Sequence, residues 1–269
     1  MTVGRPFLWA ALAICFYGQA KAAPADARTF IEKGNDALAH NRLHEAAEAF
    51  QKAIDLDPSS AKAHEQLGVT LSRGILSGNV RPSADSDVVE RAESHLRRAI
   101  ELAPYASAPL LALSELEAAL AERSGDADQR SERSKNAQDL LKQVLALAPA
   151  QPGMYFQLAS LQRDEFGPAI QQAKARFSGK PGPLPDADLR HSLQQQYGGL
   201  IDDAIQNAQK AAEMAAHSPK PLLLMSRLLR ERALLRDTPE EYAGDMHAAD
   251  DWQRQFLTAG GHLDSSTTK

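Results

Sequence analysis

Ala53-Ile-Asp-Leu-Asp-Pro58, Ala99-Ile-Glu-Leu-Ala-Pro104 and Val144-Leu-Ala-Leu-Ala-Pro149 close three stretches of the chain in the same way. The pattern extends upstream. Phe50, Leu96 and Leu141 stand eight residues before the proline, and Ala46, Ala92 and Ala137 twelve before it. Apolar residues at these offsets share one stripe of a helix. The proline ends that helix, because it has no N–H to donate and turns its predecessor away from helical angles.

A second helical pattern follows each proline. Gly68, Ser114 and Ala159 lie ten residues past Pro58, Pro104 and Pro149, each preceded by a leucine: Leu67, Leu113 and Leu158. Gly34 takes the small position in the first unit. A small residue there lets two helix backbones approach closely, and its large neighbours fill the gap to the next helix. No segment alternates apolar and polar residues over strand length, so the expected class is all-α.

These residues resemble the tetratricopeptide repeat family, whose unit is a helix–turn–helix of ~34 residues. The best copy is Arg28–Ser60, with Phe30, Gly34, Ala46, Phe50, Ala53 and Pro58 at family positions and Lys33 as a departure. The third copy is weaker, since Glu117 replaces an apolar residue. The resemblance implies a right-handed solenoid of antiparallel helix pairs. Its copies are placed at approximately 27–60, 61–106, 107–151 and 152–220, with a terminal pair at 221–258.

The spacings depart from the family period. Pro58 to Pro104 and Pro104 to Pro149 each exceed it, and the extra residues fall at Ser77–Asp87 and Arg123–Lys135, read as lengthened turns, with an extra helical turn as the alternative. Pro149 to Pro219 is about twice the period. There, Gly167-Pro168 is expected to interrupt the helix and Gly198-Gly199 to break or kink it. An inserted helical hairpin over 167–199 follows, with arms near Pro168–Phe177 and Ala187–Tyr197. The terminal pair ends in a helix whose Glu240, Glu241, Asp245, Asp250 and Asp251 would face outward and cap the stack. Residues 261–269 are expected to form a disordered tail.

The first 22 residues read as a secretory signal. Arg5 opens a basic start, Phe7 to Tyr17 is apolar, and Ala20-Lys21-Ala22 supplies small residues for cleavage. The apolar stretch is about half the roughly 20 residues a spanning helix needs. The expected localisation is therefore periplasmic or secreted, with no membrane span after cleavage. The single cysteine, Cys15, lies in this segment, so disulfide and thiol chemistry are not expected in the mature chain. The formal charge of −5, made more negative by loss of Arg5 and Lys21, argues against a nucleic-acid surface.

In the family, the first helix of each pair lines a concave face that holds a partner's segment. The matching positions here are Arg28, Ile31, Asn35 and Leu38, then Lys62, Glu65, Val69 and Ser72, then Phe156, Ser160 and Arg163. The candidate partner-binding groove is Arg28, Asn35, Lys62, Glu65, Val69, Phe156, Ser160 and Arg163, a mixed polar and apolar surface suited to a peptide. The carboxylate clamp of some relatives is not expected. Asn35 holds one clamp position, but Ile31 and Glu65 stand where cations would be needed.

Catalytic constellations are not found. No phosphate loop, nucleophile elbow or His-Glu-x-x-His is present. His40 with His44, and His247 with Asp250, have helical spacing but no third ligand nearby, so no metal or cofactor is expected. Trp252 and Phe256, four residues apart, read as a core stripe. Asp186, Asp188, His191 and Tyr197 in the inserted region are the only clustered reactive groups that an enzyme could use. The favoured reading is a non-enzymatic scaffold that binds a protein or peptide segment. The alternative is a recognition or assembly subunit of a cell-envelope enzyme or export complex.

Overall fold

A computed structural model describes residues 25–77, 86–177, 181–215 and 218–261. The expected signal segment, most of the Ser77–Asp87 turn and nearly all of the expected tail lie outside these. Among the described residues there are ten α-helices and no strand. They are α1 Ala25–Ala39, α2 Leu43–Leu56, α3 Ala61–Leu76, α4 Ser86–Leu102 and α5 Ser107–Arg123. They continue with α6 Ala127–Leu147, α7 Pro152–Arg176, α8 Ala187–Met214, α9 Pro219–Leu234 and α10 Pro239–Thr258.

Short polar signals set the ends. Ser60 caps α3 by accepting from the Ala63 N–H, and Asp126 caps α6 by accepting from Asp128 and Gln129. These side chains satisfy first-turn N–H groups that have no partner inside the helix. Thr238 and Glu241 form a reciprocal capping box at α10. Between α1 and α2 the chain turns at Asn41, whose φ of 56° lies in the left-handed region that asparagine tolerates.

Each odd-numbered helix packs antiparallel on the next, and each pair packs on its neighbour through α2–α3, α4–α5, α6–α7 and α8–α9. Further contacts join α3 to α5 and α7 to α9. This neighbour-to-neighbour pattern is that of a right-handed solenoid.

The small positions do what their spacing implies. A methyl group on Gly34 would lie 2.5 Å from Phe50 Cε1, and one on Gly68 would lie 2.6 Å from Leu96 Cγ. Phe50 and Leu96 are fully buried, so neither can withdraw. In the third pair Ser114 takes this place and donates its hydroxyl to the Ala137 carbonyl at 3.0 Å.

Three details differ from the sequence reading. First, α7 runs unbroken through Gly167-Pro168, and α8 runs unbroken through Gly198-Gly199. The inserted hairpin is present, but its arms are continuous with the fourth pair. Burial of Phe166, Ile170, Ala173, Leu193 and Ile201 outweighs the local breakers. Second, in the charged stretch after Arg123 only Ser124–Asp126 is turn, and from Ala127 the extra residues lengthen α6. Third, Asp245 does not face outward. It is 7% exposed and takes bonds from both Arg232 and Arg236 at 2.6 Å. Those two guanidiniums outweigh its burial and hold its carboxyl below the ordinary range.

Gly68→Ala therefore destabilises the protein by about 1–3 kcal/mol, the usual cost of forcing a methyl into a filled core. Gly244→Ala, in α10 with nothing within 4 Å, is neutral or stabilising by up to about 1 kcal/mol. Thermal midpoints of the two variants check the contrast.

Candidate interaction surface

The residues singled out from the sequence fall into three groups. Arg28, Asn35 and Lys62 are exposed on α1 and α3. Arg28 and Asn35 make no hydrogen bond or ion pair among the described residues. Lys62 reaches its own helix neighbour, with Nζ 2.7 Å from Glu65 Oε1. Gln66 Nε2 donates to the same oxygen at 3.2 Å, so Glu65 is half-buried and already served.

The second group is apolar or nearly so. Val69 is half-buried against the core shared by α3, α4 and α5. Phe156 is half-buried where two core clusters meet, and Ser160 is half-buried one turn further along α7. Ile31 and Leu38 pack on the first cluster and keep an open edge. Ser72 turns inward, 3% exposed, and donates to the Gly68 carbonyl at 2.9 Å. It is not available to a partner.

Arg163 is the third case. Its guanidinium donates to both oxygens of Glu231 on α9, at 2.5 and 3.1 Å. Glu231 is 3% exposed. The pair fastens α7 to α9, so Arg163 serves the fold before it serves any ligand.

The sequence reading placed the fifth pair but named no groove positions on it. Ser226 is its small residue, 2% exposed. At the offsets that give Arg28, Ile31 and Asn35 from Gly34, Ser226 gives Lys220, Leu223 and Arg227. The same offsets from Ser114 give Leu111 and Glu115. Burial holds the Glu115 carboxyl above its ordinary range. Ser226 itself was the available signal, hidden because no proline stands ten residues before it.

A cleft of about 440 Å³ lies between the third pair and the lengthened fourth. Ala118, Glu122, Ser131, Asp164, Pro168 and Tyr197 are among its walls. Burial raises the Asp164 carboxyl, Arg163 opposes that rise and Glu122 adds to it. The reactive groups of the inserted region do not converge here. Asp186 caps α8 through Leu189 N, His191 pairs with Gln195, Tyr197 accepts from Gln196, and Asp188 is exposed.

The histidines with helical spacing are surface groups. His40 bonds the Asp36 carbonyl, His44 pairs with Glu48 and His247 with Asp251. Among the described residues no three potential ligands are grouped to hold a metal ion. Phe256 is buried and Trp252 half-buried against the core, as a core stripe requires.

A family profile described as TPR repeat matches residues 34–73, from the second half of α1 to most of α3. No curated protein matches the chain. Solved structures match it along most of its length. A crystal structure of MamA protein is 13% identical, covers 89% of this chain and 98% of its own, and has a TM-score of 0.53. MamA from residue 41 to its end, from Desulfovibrio magneticus RS-1, is 14% identical over 92% of this chain and 100% of its own, with a TM-score of 0.53. YrrB, described as a TPR protein with an unusual peptide-binding site, is 15% identical over 89% and 99%, with a TM-score of 0.53. At these identities the likeness is one of fold. Residues 34–73 thus carry a tetratricopeptide repeat, and the chain as a whole shares the fold of these solved structures.

Arg163→Ala leaves Glu231 as a buried charge without its main partner, at a cost of about 3–5 kcal/mol. Adding Glu231→Gln to that variant removes the charge and restores part of the loss. Chemical denaturation of the single and double variants measures both steps.

Proposed function

We propose that this protein is an exported interaction scaffold that holds a segment of a partner protein on its concave face and performs no chemistry itself. The observation that carries the reading is the state of the inner-face side chains. Arg28 and Asn35 are exposed and make no bond of their own among the described residues, whereas the buried charges elsewhere are paired. Polar side chains left open beside half-buried Ile31 and Val69 offer both hydrogen bonds and apolar contact to an extended segment. YrrB, of the same fold, is described as having a peptide-binding site.

The mechanism is presentation. Helix packing holds the surface in place before a partner arrives, so little ordering cost falls on the scaffold and modest contacts suffice. Export rests on the sequence of the first 22 residues, and N-terminal sequencing of the protein from cells checks it. The expected mature chain starts at about Ala23, near the small-residue cleavage site. A chain that retains Met1 removes this part of the reading.

The groove assignment has its own test. Asn35→Ala combined with Lys62→Ala weakens capture of the partner by about tenfold or more, as loss of central contacts does. The helical circular dichroism is unchanged. Affinity capture from cell-envelope fractions with the two proteins side by side measures it. Equal capture at equal helicity rejects the assignment.

A further inference from the structure

Two histidines stand where the other copies carry residues that take up no proton in mild acid. His64 lies four residues before Gly68. The same position is Phe30, Leu110, Tyr155 and Leu222 in the other four pairs. His95 lies nine residues before Pro104, where the first and third copies have Ala49 and Leu140. The two exceptions meet. His64 Nδ1 is 3.0 Å from His95 Nδ1, with ring centroids 5.2 Å apart, and His64 is 8% exposed. On its other side, His64 Nε2 is 3.2 Å from the Pro58 carbonyl oxygen.

The carbonyl fixes the proton positions. It can only accept, so His64 Nε2 carries the hydrogen and donates. Neutral His64 then has a bare Nδ1, which accepts from His95 Nδ1–H. The result is a short relay from α4, through α3, to the turn after α2.

We propose that His64 and His95 form an acid-sensitive latch, in which the neutral pair fastens α3 to α4 and to the α2–α3 turn, and proton uptake releases α3 from that seat. One added proton can sit on the outer nitrogen of His95 and leave the relay intact, but it puts a charge in a half-buried place. A second proton sets N–H against N–H across 3.0 Å and breaks the pair. The groups around the latch do not help it accept protons. From α3 comes His64, from α4 comes Arg91, and from the α2–α3 turn comes only the uncharged Pro58 carbonyl. Burial first, then His64 and Arg91, hold His95 down to about 4.

The sign follows from linkage. The folded pair binds fewer protons than the opened chain between about pH 6.5 and about pH 4. Its contribution is complete above the ordinary histidine value and is lost as pH falls toward 4. Each unit across that window costs up to about tenfold in the closed-to-open ratio through His95. Because α3 also carries Lys62 and Glu65, opening the latch would move that part of the proposed groove. The latch itself does not depend on that groove reading.

Hydrogen-exchange protection factors at pH 7 and pH 5 provide the test, in wild type, in His64→Leu/His95→Leu and in His95→Gln. The leucines copy the third pair, and the glutamine amide can still donate to His64 without titrating. In wild type, protection over Ala61–Leu76 and Ser86–Leu102 is expected to fall about tenfold more than protection over α9 and α10. In both variants that excess should vanish. If the double leucine variant does not fold, His95→Gln decides alone. An equal pH response in wild type and variants overturns the proposal. So does an NMR titration in which His95 takes its proton at the ordinary histidine pH.

Discussion

The closeness of two helices in a pair is the constraint on which the solenoid rests. At Gly34 and Gly68 the backbone of one helix touches the side chain of Phe50 or Leu96 on the next, with no room for a methyl group. Fully burying a side chain of this size contributes roughly 1.5–3 kcal/mol, and the contact recurs along the stack. A linear stack has no central core to compensate for one lost contact, because each pair touches only its neighbours. Where the small residue is serine, its hydroxyl must find an acceptor, and Ser114 finds one across the pair at Ala137. The same position thus sets the helix separation and ties the pair together.

Charged residues inside the stack lie at the junctions between helices. Glu117, 1% exposed, accepts from Arg133 on α6 and faces Arg97 on α4, while Arg133 also holds Glu93. Burial, with Glu93 nearby, still pushes its carboxyl above the ordinary range against both guanidiniums. Glu231 binds Arg163 across α7 and α9, and Asp245 gathers Arg232 of α9 and Arg236 of the turn after it, the first of which also reaches Asp202 on α8. Arg123 on α5 donates to the carbonyls of Ile75 and Leu76, which end α3. Some of these bonds close a pair, as Glu117–Arg133 and Arg232–Asp245 do, and the others connect successive pairs. Breaking one leaves a desolvated charge or carbonyl behind, so each joint costs more to open than its net contribution to stability suggests.

The features read from the sequence were those fixed by local periodicity. Proline stops, small residues and apolar offsets repeat within one turn–helix unit and need no knowledge of the partner helix. What could not be read depended on residues far along the chain. Gly167-Pro168 and Gly198-Gly199 are local breakers, yet both helices continue because their apolar faces are buried by α9. Asp245 looked like an outward carboxylate until the fold brought two arginines to it. The partner of Arg163 is 68 residues away. For the groove, the offsets located the face on which Arg28, Asn35 and Lys62 lie open. They could not show that Arg163 is already bonded within the protein, since that pairing is decided across helices, whereas the Lys62–Glu65 pair was open to an i, i+3 reading.

Reinforcement along the stack is uneven. The lengthened arms of α7 and α8 return to the last pair, where the Leu184 N–H donates to the Leu234 carbonyl and Gln194 donates to the Leu235 carbonyl. Arg190 adds a pairing with Asp237, so the loop between the arms is bound to the α9–α10 turn. The C-terminal end thereby gains contacts beyond simple neighbour packing. The first pair has no such strap among the described residues, and its ion pairs, such as Arg42 with Asp36 and Glu45, are exposed and weak. Arg28 and Asn35, of the proposed groove, therefore lie at the less reinforced end. A segment lying across α1 and α3 would supply the bridge between pairs that Arg163–Glu231 supplies further along. Binding there would be coupled to the stability of the end that receives it.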